Sequence, residues 1–161
     1  MNNMGCLGGF LINSVDFLVS EGVVEESCFP YQMHNADCRY HCMSHEEKYQ
    51  KYYCKKGSMR LLTSKEEIMR EIFENGPVMT GMSIYEDLFS YVDGVYEYVS
   101  GELMGGHAVK LIGWGTEEDI GFYWIAQNQW AEDWGMDGFF QIKEHQVGID
   151  SLALACDPDL I

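Results

Sequence analysis

Positive charge is scarce in this sequence: ten Lys and Arg stand against 26 Asp and Glu in 161 residues, a net charge of −16. With no basic stripe to neutralise phosphates, nucleic acid is excluded as an expected partner. An acidic surface keeps a protein soluble and suits an acidic lumen, where part of the charge is protonated. Long apolar runs are also missing, and none approaches the ~20 residues that a membrane helix needs. Phe10-Leu11-Ile12 is broken at once by Asn13, Ser14 and Asp16, so it is neither a membrane span nor the apolar part of a signal peptide. A targeting peptide, if the precursor has one, is expected upstream of Met1. Internal repeats and low-complexity linkers are absent, which sets aside repeat arrays.

The residues that are present suit a globular protein. Apolar residues make up 47% of the chain, enough for one good core or for two small lobes sharing an interface. Six cysteines, four of them from Cys28 to Cys54, suggest an oxidising compartment. Buried free thiols in a cytosolic protein are the alternative. Phe10, Leu11, Val15, Leu18 and Val19 share a helical apolar face that ends at Gly22. The stretch Cys28–Gly57 has little periodicity and reads as irregular and disulfide-held. Ser64-Lys65-Glu66-Glu67 is a capping box. It opens a helix expected to turn Ile68, Met69, Ile72 and Phe73 inward and to stop at Gly76-Pro77. Short β-prone runs follow at Val78–Ile84, Gly94–Val99, Ala108–Trp114, Phe122–Ala126 and Gly138–Ile142, separated by turn signals such as Asp93-Gly94 and Asp137-Gly138. The class is therefore α+β: residues 1–57 read as the remnant of a helical lobe, and residues 58–161 as a mainly antiparallel β domain.

Two positions carry chemistry. His107 lies in Met104-Gly105-Gly106-His107-Ala108-Val109, and Asn128 in Trp124-Ile125-Ala126-Gln127-Asn128-Gln129-Trp130. A histidine on one strand and an Asn-x-Trp on the next is the base-plus-orienter half of a Cys-His-Asn site. A separate possibility is metal binding by His34, Cys38, His41, Cys42 and His45, which could surround zinc, although their spacing matches no standard finger. No metal and no cofactor is expected.

Taken in order, the motifs resemble the papain family of cysteine peptidases, and within it the cathepsin B-like branch. They run Gly5-Cys6-Leu7-Gly8-Gly9, Cys28-Phe29-Pro30-Tyr31, Asn75-Gly76-Pro77-Val78, Tyr85-Glu86-Asp87 and Tyr91-Val92-Asp93-Gly94-Val95-Tyr96. After these come Gly101 through Val109, Leu111-Ile112-Gly113-Trp114-Gly115, Asn128-Gln129-Trp130, Trp134-Gly135, Gly138-Phe139-Phe140 and Gly148-Ile149-Asp150. The resemblance implies a two-lobed fold, with a partial helical lobe and an antiparallel β-barrel lobe carrying His107 and Asn128. It implies hydrolysis of peptide substrates by a thiolate that His107 generates, with Asn128 fixing the ring tautomer and Trp130 shielding that hydrogen bond. Gly8, Gly9 and Gly106 are implied to admit a substrate backbone, and Gly81 and Leu152 to line an apolar pocket for the P2 side chain.

The nucleophile of such peptidases precedes the histidine and asparagine by roughly 130–150 residues. It is therefore expected about 20–45 residues before Met1, on a segment outside this sequence. None of the six cysteines sits in the nucleophile's motif. Gln129 replaces the family's usual serine, Val147 replaces a usual cysteine, and the histidine pair of the exopeptidase loop is not recognisable, which favours endopeptidase specificity. By resemblance Cys28 pairs with Cys54 and Cys38 with Cys42, while Cys6 bridges to a separate N-terminal polypeptide or stays free, and Cys156 has no nameable partner. The expected partner is the N-terminal segment or light chain bearing the nucleophile, or another subunit covering the interlobe face. A catalytically inactive homologue serving as a structural or interaction subunit is the alternative. Lysosomal, vacuolar or secreted residence is the family's implication.

Overall fold

The computed structural model describes residues 3–159. These fall into two compact units: Arg60–Ala155, and the described residues up to Met59 together with those from Cys156 onward.

In the first unit a short 3-10 turn, Gly5–Leu7, precedes helix α1, Leu11–Ser20. The Asn3 side chain starts α1 from outside, accepting the Phe10 N–H at 2.8 Å. Gly22 ends it with φ +70°, its N–H returning to Phe17 O at 3.1 Å. A side chain there would meet Tyr52 O and the Tyr53 ring, so glycine is required for space as well as for φ. Of its apolar residues α1 fully buries only Val15, and Phe10 and Phe17 remain 69% and 51% exposed.

The disulfides differ from those the family resemblance implies. Cys28 pairs with Cys42 and Cys54 with Cys156, while Cys6 and Cys38 are free and exposed. The backbone explains both pairs. Met43 donates to Cys28 O at 2.8 Å, laying residue 42 alongside residue 28 with Cα atoms 4.4 Å apart. Cys54 lies against the C-terminal tail through a bridge to Pro158 and the bond from Lys55 N to Asp157 O. The tail, read from sequence with the β half, accordingly belongs to the first unit. The disulfide also removes Cys42 from any zinc site, and no metal-ligating cluster occurs among the described residues.

The second unit is one sheet with one helix. Its strands are β1 (Arg60–Leu62), β2 (Val78–Tyr85), β3 (Val95–Tyr96), β4 (Leu103–Glu117), β5 (Gly121–Gln127), β6 (Phe139–Lys143) and β7 (Ala153–Ala155). Their order is β1-β7-β2-β4-β5-β6-β3, antiparallel except for the pair β3 with β6. Strict alternation in β2 buries Val78, Thr80, Met82 and Ile84. The core adds Leu111 on β4, Trp124 and Ala126 on β5, and Phe140 and Ile142 on β6, all fully buried. No helix among the described residues is long and apolar enough to cross a membrane.

Helix α2, Lys65–Asn75, forms where the capping box places it: Ser64 Oγ accepts the Glu67 N–H, and the Glu67 carboxylate accepts the Thr63 N–H at 2.8 Å. That backbone bond holds the Glu67 carboxyl below its ordinary value. Ile68 and Ile72 turn inward as expected, but Phe73 does not and is 83% exposed. The third inward position belongs to Glu71, one turn from Ile68, whose carboxylate meets the Arg60 guanidinium at 2.5 and 3.0 Å. Phe73, two residues on from Glu71 and so about 200° around the helix from it, faces solvent.

Candidate active site

His107 stands on β4 beside Met82 of β2, its register partner. Asn128 follows directly on β5, its own N–H fixed to Gly138 O at 2.9 Å. The two side chains meet: His107 Nε2 lies 2.8 Å from Asn128 Oδ1. The same oxygen accepts the Gln129 backbone N–H at 3.0 Å, which fixes the amide with its oxygen toward the ring. Nε2 must then be the protonated nitrogen, so Nδ1 carries the free lone pair. That arrangement suits a general base: its donor nitrogen is anchored, and its acceptor nitrogen has no hydrogen-bond partner among the described residues.

Aromatic rings surround this pair. Trp130 lies on the His107 ring at 5.1 Å, Trp134 meets Trp130 edge-on at 4.9 Å, and Phe89 stacks on Trp130 at 5.1 Å. Asn128 is buried, and a hydrogen bond shielded from water is stronger than an exposed one. Asn128 Nδ2 is buried with no hydrogen-bond partner among the described residues. An orphaned amide proton costs stability, which fits a side chain retained for its oxygen.

Gly106 precedes His107 opposite Ser83, with open space where a side chain would stand. Gly81 pairs with Ala108 on the face of the sheet away from buried Val109. Leu152 is brought beside this pair because Thr80 registers with Ala153, and Thr80 Oγ1 lies 2.7 Å from Ile149 O and 2.9 Å from Leu152 O. Gly81, Ala108 and the half-exposed Leu152 thus form a small, accessible group without charge. Ala108 was not singled out from the sequence; a register pairing with Gly81 is visible only once the strands are assembled.

Gly8 and Gly9 lie in the first unit, immediately after the Gly5–Leu7 turn. Gly8 has φ +95° and open space on its Cβ side. Gly9 has an internal reason to be glycine, because a Cβ would strike the Asn3 side chain that starts α1.

The loop leading into β4 is held by one carboxylate. Asp87 accepts the Val99 and Ser100 N–H groups at 2.9 and 3.1 Å and the Tyr96 hydroxyl at 2.7 Å. Partial burial pushes the Asp87 carboxyl up, but the Val99 N–H, the Tyr96 hydroxyl and the Ser100 N–H outweigh it and hold it below the ordinary value. Burial and the Asp87 carboxylate push the Tyr96 phenol up, so it remains a donor. A depressed carboxyl contributes stability above the unfolded pKa and loses it as pH falls through the folded one. Asp87→Ala should therefore destabilise the unit by about 2 kcal/mol at pH 6 and by clearly less at pH 2.5. Thermal melts of both proteins across that range check this; a gap that stays constant with pH would contradict it.

This geometry agrees with comparisons against known proteins. Residues 1–156 match the model of the papain family cysteine proteases. Cathepsin B-like protease 1 of Arabidopsis thaliana is 37% identical over 94% of this chain and 44% of its own length. Cathepsin B of Dictyostelium discoideum is 34% identical over 94% of this chain and 53% of its own length. Among solved structures, proCathepsin B S9 from Trypanosoma congolense superposes with TM-score 0.84 at 33% identity, covering 96% of this chain and 55% of that one. Digestive procathepsin L2 from the Tenebrio molitor larval midgut gives TM-score 0.73 at 25% identity, over 97% and 49% respectively. The chain spans about half the length of the curated relatives it matches. With a histidine-asparagine pair shielded by tryptophan on a papain-like sheet, and with this run of relatives, the chain belongs to the papain family of cysteine proteases, in its cathepsin B-like branch.

Proposed function

We propose that this chain supplies the base and orienter of a Cys-His-Asn endopeptidase whose nucleophilic cysteine lies on a polypeptide segment outside the sequence. The observation that carries this reading is the 2.8 Å contact from His107 Nε2 to Asn128 Oδ1, which leaves Nδ1 free to take a thiol proton.

In this mechanism the thiol proton moves to Nδ1, giving a thiolate and an imidazolium whose Nε2–H remains bonded to Asn128. The thiolate attacks the peptide carbonyl carbon, and the imidazolium returns its proton to the leaving amine as the C–N bond breaks. Neutral His107 then takes a proton from water as that water attacks the thioester, and the cysteine leaves as a thiol. Gly106, with open space where a side chain would stand, leaves the backbone beside His107 accessible to an extended peptide, and Gly8 and Gly9 do the same within the first unit. Gly81, Ala108 and Leu152 carry no charge, so an apolar P2 side chain is preferred against them. The exposed thiol of Cys6 and the exposed apolar side chains Leu7, Phe10 and Phe17 suit a partner segment that covers them. The family's usual lysosomal or secreted residence is compatible with the two disulfides.

Intact-mass analysis of native material, before and after reduction, tests the proposal together with an epoxide thiol probe. The expected result is a second polypeptide associated with this chain, carrying one cysteine that the probe alkylates. A single folded species of this chain's mass, without labelling and without a nucleophile-bearing companion, would overturn it and favour the structural-subunit alternative.

A further inference from the structure

The strand that carries His107 is supported unequally on its two sides. On one side β2 pairs with β4 without a break from Leu111 back to Gly105, placing Met82 opposite His107. On the other, β5 pairs with β4 only as far as Lys110, opposite Gln127. From Ala108 towards its start, β4 therefore has no strand on the side from which Asn128 approaches. An imidazole on a strand edged on one side only can drift with its backbone.

Gln129 closes this gap. Its side-chain amide donates from Nε2 to Ala108 O at 2.7 Å, beyond the last ladder pair. Its backbone N–H donates at 3.0 Å to Asn128 Oδ1, the atom that meets His107 Nε2. The contacts form a ring: His107 to Asn128 Oδ1, Asn128 Oδ1 to Gln129 N, Gln129 Nε2 to Ala108 O, and Ala108 by the peptide bond back to His107. A serine hydroxyl, the residue that the family usually places here, ends two bonds shorter than the Gln129 amide.

We propose that Gln129 is a positioning residue for the His107–Asn128 pair, its side chain extending the β4–β5 ladder so that the imidazole keeps its distance from Asn128 and the Nε2–H bond between them. It touches no reacting atom and acts through the other two. The inference rests on the proposed base role of His107 for its effect on rate, but not for its effect on the ring.

Gln129→Met keeps the length and removes the donor. Because Gln129 is exposed and its backbone N–H is retained, the variant should fold. In the native complex with the nucleophile-bearing segment, kcat for peptide hydrolysis should fall about threefold to tenfold, the loss of one hydrogen bond, with KM unchanged. The acidic limb of its pH–rate profile should move to higher pH, because a less well held imidazolium stabilises the thiolate less. Independently of turnover, the His107 Nε2 proton, which the neutral ring and the imidazolium both carry, should give a slowly exchanging downfield resonance in the wild type and a broadened, faster-exchanging one in Gln129→Met. Gln129→Ser should behave like Gln129→Met in both readouts. If both variants retain the wild-type Nε2 proton resonance and pH profile, the positioning role is overturned. If the wild-type complex shows no hydrolysis, the proposed function fails, and the Nε2 proton spectra alone then decide the role of Gln129.

Discussion

If the proposed Cys-His-Asn peptidase is assembled, replacing His107 by alanine is expected to lower its kcat by about 10⁴-fold, with KM little changed. The size of the effect follows from what surrounds the ring. Met82, Asn128 and Trp130 are its neighbours, and none of them can accept a thiol proton at neutral pH. Without the imidazole the thiol keeps its ordinary pKa near 8.5, so the thiolate fraction falls and the leaving amine has no proton donor. The loss therefore falls on transition-state chemistry and not on substrate binding. Asn128→Ala should cost less, because the base survives and only its tautomer and orientation are released. Single-turnover hydrolysis of a fluorogenic peptide, paired with the rate of thiol alkylation against pH, separates the two variants. Thermal melts serve as the control, and His107→Ala activity within tenfold of wild type would remove His107 from the mechanism.

That His107 and Asn128 belong together was legible in the sequence because each lies in a motif whose parts have separate reasons to be there. Gly105-Gly106 removes side chains beside His107, and Trp130 lies on its imidazole. The capping box at Ser64–Glu67 was legible for the same reason, since both its bonds are local. Features set by distant partners were not. Strands β1 and β7 are three residues each, too short to show a period, and exist because Arg60 registers with Ala155 and Leu62 with Ala153. Phe73 was expected inside because it is apolar; the inward stripe instead runs through Ile68, Glu71 and Ile72, with Glu71 paired to Arg60. Cysteine spacing could not decide between Cys38 and Cys28 as the partner of Cys42, nor locate Cys54 against a tail about a hundred residues away. In the sequence Gln129 stood out only as a departure from the family's usual serine; its reach to Ala108 O depends on how β4 and β5 are laid together.

Asp150→Ala should destabilise the Arg60–Ala155 unit by about 3 kcal/mol, and Asp150→Asn by about 1 kcal/mol. Trp124 has no solvent exposure, and its indole N–H donates to Asp150 Oδ2 at 3.1 Å. The same oxygen accepts the His145 backbone N–H at 3.1 Å and lies 3.3 Å from His145 Nδ1. Alanine would strand the indole proton in the core and free the turn in which His145 and Val147 adopt φ +64° and +45°. A β-branched residue is rarely found there, so the turn persists only while something anchors it. Asparagine keeps one acceptor oxygen and loses the charge, hence the smaller loss. For a unit of this size, the alanine variant should melt roughly 10–20 °C lower, and the indole proton resonance of Trp124 should broaden or shift. Melts of both variants within 2 °C of wild type would show that Asp150 is not the anchor. The effect should also reach the site, because the next turn carries Ile149 O and Leu152 O, both within reach of the Thr80 hydroxyl. Loosening that turn moves Leu152 away from Gly81, so discrimination among P2 side chains should weaken in Asp150→Asn before the fold is lost.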